Sequence, residues 1–325
     1  MSGAARSGVC VVGSIHMDVV AVASRLPARG ESLVGERAAL SPGGKAGNQA
    51  AQAALNGART FMIGRVGRDA FGAQLREALQ RAGVDTTHLS DDPDEGTGIS
   101  PVLTGADGEY ASIIVPGAGW RLGEAELTAA REAFAQSAVL LLQCEIPLEV
   151  SAGAARMGRA AGLTVILNAS PVPADAGVVP ADLWPNVDVL LLNATEAGLL
   201  SGEAVTDAAG ALRAMVALRQ RLGVPTVIVT LGGEGVVALQ GDAARHQPTW
   251  PVPVVETIGA GDAFAGALAS EFARGRSLAD ALPVANAAGA LAVTRPGARE
   301  SLPTGDEIAA FLRERGVTEA QVLEV

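Results

Sequence analysis

The sequence predicts an α/β fold: a central, mainly parallel β-sheet between two helical layers, a three-layer sandwich, with a small β-sheet lid. Three observations predict it. Short apolar runs rich in β-branched residues recur along the chain, the pattern of parallel strands covered on both faces. Amphipathic helical stretches alternate with them, and strand–helix–strand alternation builds a parallel sheet. Two segments break that rhythm with short strand-like runs joined by Gly, Pro and Asp.

The first strand run is VCVVG (9–13), followed by FMIG (61–64), AVLLLQ (138–143), LTVILN (163–168), VDVLLLN (187–193) and TVIVTLG (226–232). The helical stretches are GNQAAQAALNGA (47–58), DAFGAQLREALQRAG (69–83), EAELTAAREAFAQ (124–136), LEVSAGAARMGRAAG (148–162) and DAAGALRAMVALRQRLG (207–223). Several end in glycine, a common helix stop. Segments 14–42 and 97–115 read as antiparallel strands projecting from the main sheet, and TGADGEY in the second is a hairpin signal. Both insertions form one lid on a single domain spanning 1–325, with no internal repeat and no low-complexity linker.

With 325 residues, 49% of them hydrophobic, the chain is long enough for a large core. A net charge of −11 and no run of Lys or Arg argue against a nucleic-acid groove. The acidic balance favours solubility without excluding an anionic substrate. Cys10 and Cys144 lie far apart in apolar runs and read as buried, reduced thiols. His16, His88 and His246 are scattered, with no zinc-like spacing. The N-terminus lacks the apolar region of a signal peptide. No apolar run approaches the roughly 20 residues of a membrane span. A cytoplasmic protein without membrane contact is expected.

Ligands of open α/β sheets bind beyond the carboxyl ends of the strands. After the first strand comes GSIHMD, where His16 and Asp18 face a ligand or sit in a surface turn. In SPGGKAGNQAAQAA (41–54), Gly43 and Gly44 permit close backbone approach. Asn48 there is either a helix N-cap or a donor and acceptor for a hydroxyl-rich ligand. Lys45 is followed by Ala46, so the Walker spacing is absent, as is a dinucleotide fingerprint. Glu145 follows another strand. Asn193 and Glu196, three apart, fit a capping-box variant or a pair holding waters around Mg²⁺. Thr230, Gly232, Gly233 and Gly235 lie in a hairpin, or in a turn against which a flat or phosphate-bearing ligand rests.

ETIGAGDAFAG (256–266) carries the sharpest signal. Apolar residues at Ala263, Phe264, Ala267, Leu268 and Phe272 have helical spacing, so IGAG is a helix N-terminus. Free amides and the positive dipole end favour an anion there, and glycines leave room for it. Asp262 then serves the dipole as any first-turn acid does, or acts as a general base beside an anion hole. The second arrangement is what phosphoryl transfer requires.

GGKAGNQAA, LNATEAGLL, VTLGGEGV and ETIGAGDAFAGAL, in this order, resemble the ribokinase-like (PfkB-type) carbohydrate kinases over nearly the whole chain. GSIHMD and AVTRPGARESLP add to the likeness. The resemblance implies ATP-dependent, Mg²⁺-assisted phosphorylation of a primary sugar hydroxyl, with ribose giving ribose 5-phosphate. Fructose or another ketose, a deoxy-sugar acid and a nucleoside are the alternatives within the family, and a non-catalytic sugar-binding regulator lies outside it. It implies Asp262 as the base and the amides of Gly259, Ala260 and Gly261 as the anion hole. His16, Asp18, Gly43, Gly44, Lys45, Asn48 and Glu145 would surround the sugar. Asn193 and Glu196 would organise Mg²⁺ and phosphates, Glu196 through water. Thr230, Gly232, Gly233, Gly235 and Gly261 would line the nucleotide, with Asn286 near adenine. A potassium site would comprise Glu256, Ile258, Ala292, Arg295, Gly297 and Ser301, mostly through carbonyls. The lid would clasp a homodimer. Two positions depart from the ribokinase pattern: His16 replaces an asparagine and Glu256 an aspartate.

Overall fold

Alternation of side chains along each strand decides the architecture. In β1 (Gly8–Val12), Val9 and Val11 enter one core while Cys10 and Val12 enter another. β10 (Ser137–Leu142) and β12 (Val189–Asn193) divide in the same way, Leu141 and Leu191 to the first core, Leu140 and Leu190 to the second. A strand buried on both faces needs a helical layer on each. The computed structural model describes residues 6–105, 109–173 and 179–317.

β1 sits inside the main sheet, parallel to β10 on one side and to β4 (Thr60–Gly67) on the other. Beyond β10 run β11 (Thr164–Asn168), β12 and β13 (Thr226–Thr230), all parallel. β14 (Val236–Gln240) and β15 (Ala243–Gln247) close that edge antiparallel. β5 (Val84–Asp85) and β6 (Leu89–Asp92) pair with β4. One face carries α1 (Lys45–Leu55), α2 (Ala70–Arg81), α8 (Ala260–Ala273), α9 (Leu278–Ala292) and α10 (Gly305–Glu314). The other carries α3 (Glu124–Ala129), α4 (Arg131–Gln136), α5 (Leu148–Ala160), α6 (Ala194–Ser201) and α7 (Ala208–Leu222). The helix expected across 124–136 is two short ones, broken at Ala130, whose amide is shared between the Glu126 and Leu127 carbonyls.

The second sheet comprises β2 (His16–Ala23), β3 (Arg37–Gly43), β7 (Thr97–Gly105), β8 (Tyr110–Ser112) and β9 (Val115–Gly117). It is mixed rather than purely antiparallel, because β2 and β7 run parallel. β2 follows β1 and β7 follows β6, strands that run in one direction, so their continuations leave the main sheet the same way. β3, β8 and β9 are antiparallel to their neighbours. The turn of the expected hairpin, 106–108, lies outside the described residues, as do residues 1–5 of the N-terminus.

One glycine sets how the two helices at the site meet. A Cβ on Gly266 would fall 2.5 Å from the Gln49 carbonyl and 2.6 Å from the Gln52 Cβ. α8 therefore lies directly on α1, and Asp262, one turn before Gly266, comes to the start of α1. Cys10 is buried and Cys144 half-buried, and both are free thiols. Burial, with Glu196 and Glu145 nearby, pushes the Cys144 thiol up to about 12. No helix among the described residues is long and apolar enough to cross a membrane.

Candidate active site

α8 starts where the chain requires a glycine. Gly259 is its N-cap with φ +82°, and a Cβ there would sit 2.7 Å from the Ala298 carbonyl. Gly261 is different: a Cβ on it would meet nothing within 4 Å. Packing gives no reason for glycine at 261; the open space before it does. The amides of Gly259, Gly261 and Asp262 have no backbone partner among the described residues, and that of Ala260 makes only a 3.4 Å bond to the Thr257 carbonyl. These donors stand at the positive end of a 14-residue helix, where an anion is favoured.

Asp262 is buried at this helix start. Its Oδ2 accepts from Asn48 Nδ2 at 3.0 Å, and its Oδ1 from Gln49 Nε2 at 2.9 Å. Burial raises its carboxyl above the ordinary value, while the Lys45 charge and the two amide donors pull the other way. A carboxylate raised by burial is a stronger proton acceptor, as a general base requires. Both donors are fixed from behind. Gln143 Nε2 donates to Gln49 Oε1 at 2.7 Å, Gln49 Nε2 also reaches Asn168 Oδ1 at 2.9 Å, and Arg299 Nε donates to Asn48 Oδ1 at 3.2 Å. Asn48 is thus no N-cap; Gly44, with φ +87°, caps α1.

A cavity of about 650 Å³ opens from Asp262. Its wall contains Lys45, Asn193, Glu196, Thr230, Gly232, Gly233, Gly235, Asn286 and the 259–262 turn. Asn193 and Glu196 form a reciprocal capping box, with the Asn193 amide donating to Glu196 Oε2 at 2.9 Å and the Glu196 amide to Asn193 Oδ1 at 2.8 Å. Asn286 Nδ2 donates to the Pro248 carbonyl at 2.7 Å and so holds the segment carrying Trp250 against the cavity.

Outside that wall lie His16, Asp18, Gly43, Gly44, Asn48 and Glu145, of which Asn48 bonds Asp262 directly. Glu145 accepts from Ser14 Oγ and, at 3.1 Å, from the Lys45 amide. His16 Nδ1 is 2.9 Å from Asp18 Oδ1, yet neither atom makes a hydrogen bond. A Cβ on Gly43 would fall 2.4 Å from the Asp18 carboxylate.

Glu256, Ile258, Ala292, Arg295, Gly297 and Ser301 do not line the cavity. Ala292 is the last residue of α9, and the other five belong to the loops before α8 and after α9. Glu256 Oε2 accepts from the Gly297 amide at 2.7 Å, and Ser301 Oγ donates to the Ala298 carbonyl at 3.0 Å. No group of three or more His, Cys, Asp or Glu among the described residues is placed to hold a metal ion directly. Sequence reasoning missed Gln49, Gln143, Asn168, Arg299 and Trp250. The one available signal was a polar trio, Asn48, Gln49 and Gln52, in an otherwise Ala-rich helix; all three are buried.

The model of the pfkB family carbohydrate kinases matches residues 6–305 of the chain. A ribokinase of Haemophilus influenzae is 33% identical over 94% of this chain and 99% of its own length. A ribokinase of Mus musculus is 34% identical over 91% of this chain and 92% of its own. Among solved structures, Arabidopsis thaliana ribokinase complexed with ribose and ATP superposes with a TM-score of 0.87 at 32% identity, covering 94% of this chain and 99% of that one.

Proposed function

The chain belongs to the pfkB family of carbohydrate kinases, and we propose that it is an ATP-dependent ribose kinase, converting ribose and ATP to ribose 5-phosphate and ADP. The observation that carries this reading is Asp262: a buried carboxylate, held by two amides, at a helix start whose donors face a cavity of nucleotide size. The names of the relatives, and the ribose and ATP of the Arabidopsis complex, support the choice of substrates.

In this reading ATP lies in the cavity along Thr230–Gly235 and the Asn286 side, its γ-phosphoryl group at the 259–261 amides. The sugar lies on the far side of Asp262, among Asp18, Gly43, Lys45, Asn48 and Glu145. Asp262 takes the proton of the primary hydroxyl as that oxygen attacks phosphorus. The bond to the ADP oxygen breaks, and the helix-start amides stabilise the charge on the moving phosphoryl group. Lys45, in the cavity wall, offsets the anionic charge that builds there.

Mg²⁺ would enter with ATP and neutralise phosphate charge. Asn193 and Glu196 fit it through water, because Glu196 Oε2 is already engaged by the Asn193 amide. Potassium would sit beneath the anion hole, where the all-oxygen donor set of Glu256, Ile258, Ala292, Arg295, Gly297 and Ser301 suits a hard cation. Glu256 already clamps the Gly297 amide there. The second sheet serves as lid and homodimer clasp: Leu40, Leu103, Ile113, Ile114 and Val115 are all exposed on or beside its strands. Light scattering should find a dimer that Ile113→Asp converts to a monomer; a wild-type monomer contradicts the clasp. A cytoplasmic setting goes with this reading. ATP consumption across pentoses, hexoses, sugar acids and nucleosides, with and without potassium, tests it. Ribose should give the highest kcat/KM, and no turnover with any sugar would refute the kinase reading.

A further inference from the structure

Buried polar atoms almost always find a hydrogen-bond partner. Among the described residues seven buried side-chain atoms lack one, and Arg299 Nη1, Asp18 Oδ1 and His16 Nδ1 are three of them. Arg299 Nη1 is buried, although the residue as a whole is partly exposed. Nε donates to Asn48 Oδ1 at 3.2 Å and Nη2 to the Gly43 carbonyl at 3.4 Å. Gly47 makes room for it, since a Cβ there would fall 2.4 Å from Nη2. Burial pushes the guanidinium down to about 10, while Glu300, Asp262 and Asp18 support its charge, so it stays cationic at neutral pH.

Asp18 and Arg299 flank one residue. The carboxylate lies against the Gly43 Cα, and the guanidinium reaches the Gly43 carbonyl. Yet no ion pair closes between them among the described residues. Arginine only donates and an ionised aspartate only accepts. A single group that satisfies both orphan atoms must accept and donate together, as a hydroxyl does. A carboxylate ligand would meet Asp18 with like charge, and an amine would meet Arg299. A neutral polyol meets both demands.

We propose that Arg299 is a further sugar-contact and specificity-determining residue: its Nη1 donates to the oxygen of a secondary hydroxyl whose own proton goes to Asp18. The proposal rests on the ribose kinase reading above. It makes the site demand that hydroxyl, because a sugar lacking it leaves Arg299 Nη1 and Asp18 Oδ1 buried without a partner.

The test is steady-state kinetics of wild type, Arg299→Gln and Arg299→Lys on ribose, 2-deoxyribose and 3-deoxyribose. The wild type should reject one deoxy sugar by about 100-fold or more in kcat/KM. Arg299→Gln should lower kcat/KM on ribose by about 10- to 100-fold, mostly through sugar KM, yet change that deoxy sugar less than about threefold. The KM for ATP should hold, and Lys, which keeps the charge without the planar fork, should restore part of the discrimination. Equal losses on all three sugars, carried in kcat, would overturn the contact and leave Arg299 as a support for Asn48 only. Should the Gln variant fail to fold, the Lys variant carries the same comparison. No wild-type turnover on ribose would overturn the ribose kinase reading itself, a result distinct from equal losses.

Discussion

Gly259 and Gly261 are two residues apart, and the structure assigns them opposite reasons for being glycine. At 259, alanine must adopt φ +82°, which costs about 1–2 kcal/mol. Its Cβ would also stand 2.7 Å from the Ala298 carbonyl, and relieving that overlap adds about 1–3 kcal/mol. Gly259→Ala should therefore lose about 2–5 kcal/mol, lowering Tm by roughly 3–7 °C. At 261, the methyl meets nothing within 4 Å and α8 gains a better helix former. Stability should stay within about 1 kcal/mol of wild type. The methyl would instead occupy the space before the helix-start amides, where loss of a donor costs about 10²–10³ in kcat. Differential scanning fluorimetry and a coupled ADP assay, run on both variants, read the two effects separately. A Gly261→Ala enzyme with kcat within about threefold of wild type would refute the anion hole. An unchanged Tm in Gly259→Ala would refute the strain argument.

Two further predictions concern the groups around Asp262 and Asp18. Because burial raises the Asp262 carboxyl and only its ionised form accepts a proton, activity should fall as pH drops through a value above the ordinary carboxylate range. Gln49→Leu removes a donor that favours the ionised form, so the acid limb of the kcat profile should move to higher pH and kcat should drop; an unmoved limb contradicts the tuning. His16→Asn removes a bulky ring beside Asp18 and should alter relative kcat/KM across a sugar panel; equal ratios for every sugar would show that His16 does not face the substrate.

The fold was legible where burial on both faces leaves continuous apolar runs, as in VCVVG and AVLLLQ. The helix start at IGAGD was legible because phosphate chemistry needs glycine, amides and an acid within a few residues. The direction of β2 against β7 was not, since strand direction depends on how remote segments leave the main sheet. Nor were Gln49, Gln143 and Arg299. The polar trio in the Ala-rich α1 hints at Gln49 without showing what it touches, and Gln143 and Arg299 come from elements far away in sequence. The small residues that permit those contacts, Gly47 under Arg299 and Gly266 between α1 and α8, have meaning only once the helices are in place. Asn48 illustrates the difference: its sequence position suits an N-cap, and its side chain instead holds Asp262.

The role of Asp262 as the base of an ATP-dependent sugar kinase is tested most directly by Asp262→Asn. Ribose 5-phosphate formation and ATP affinity should be measured on the same preparation of each enzyme. Turnover should fall by about 10²–10⁴-fold with ATP affinity nearly unchanged. Near-wild-type turnover in the variant would contradict it.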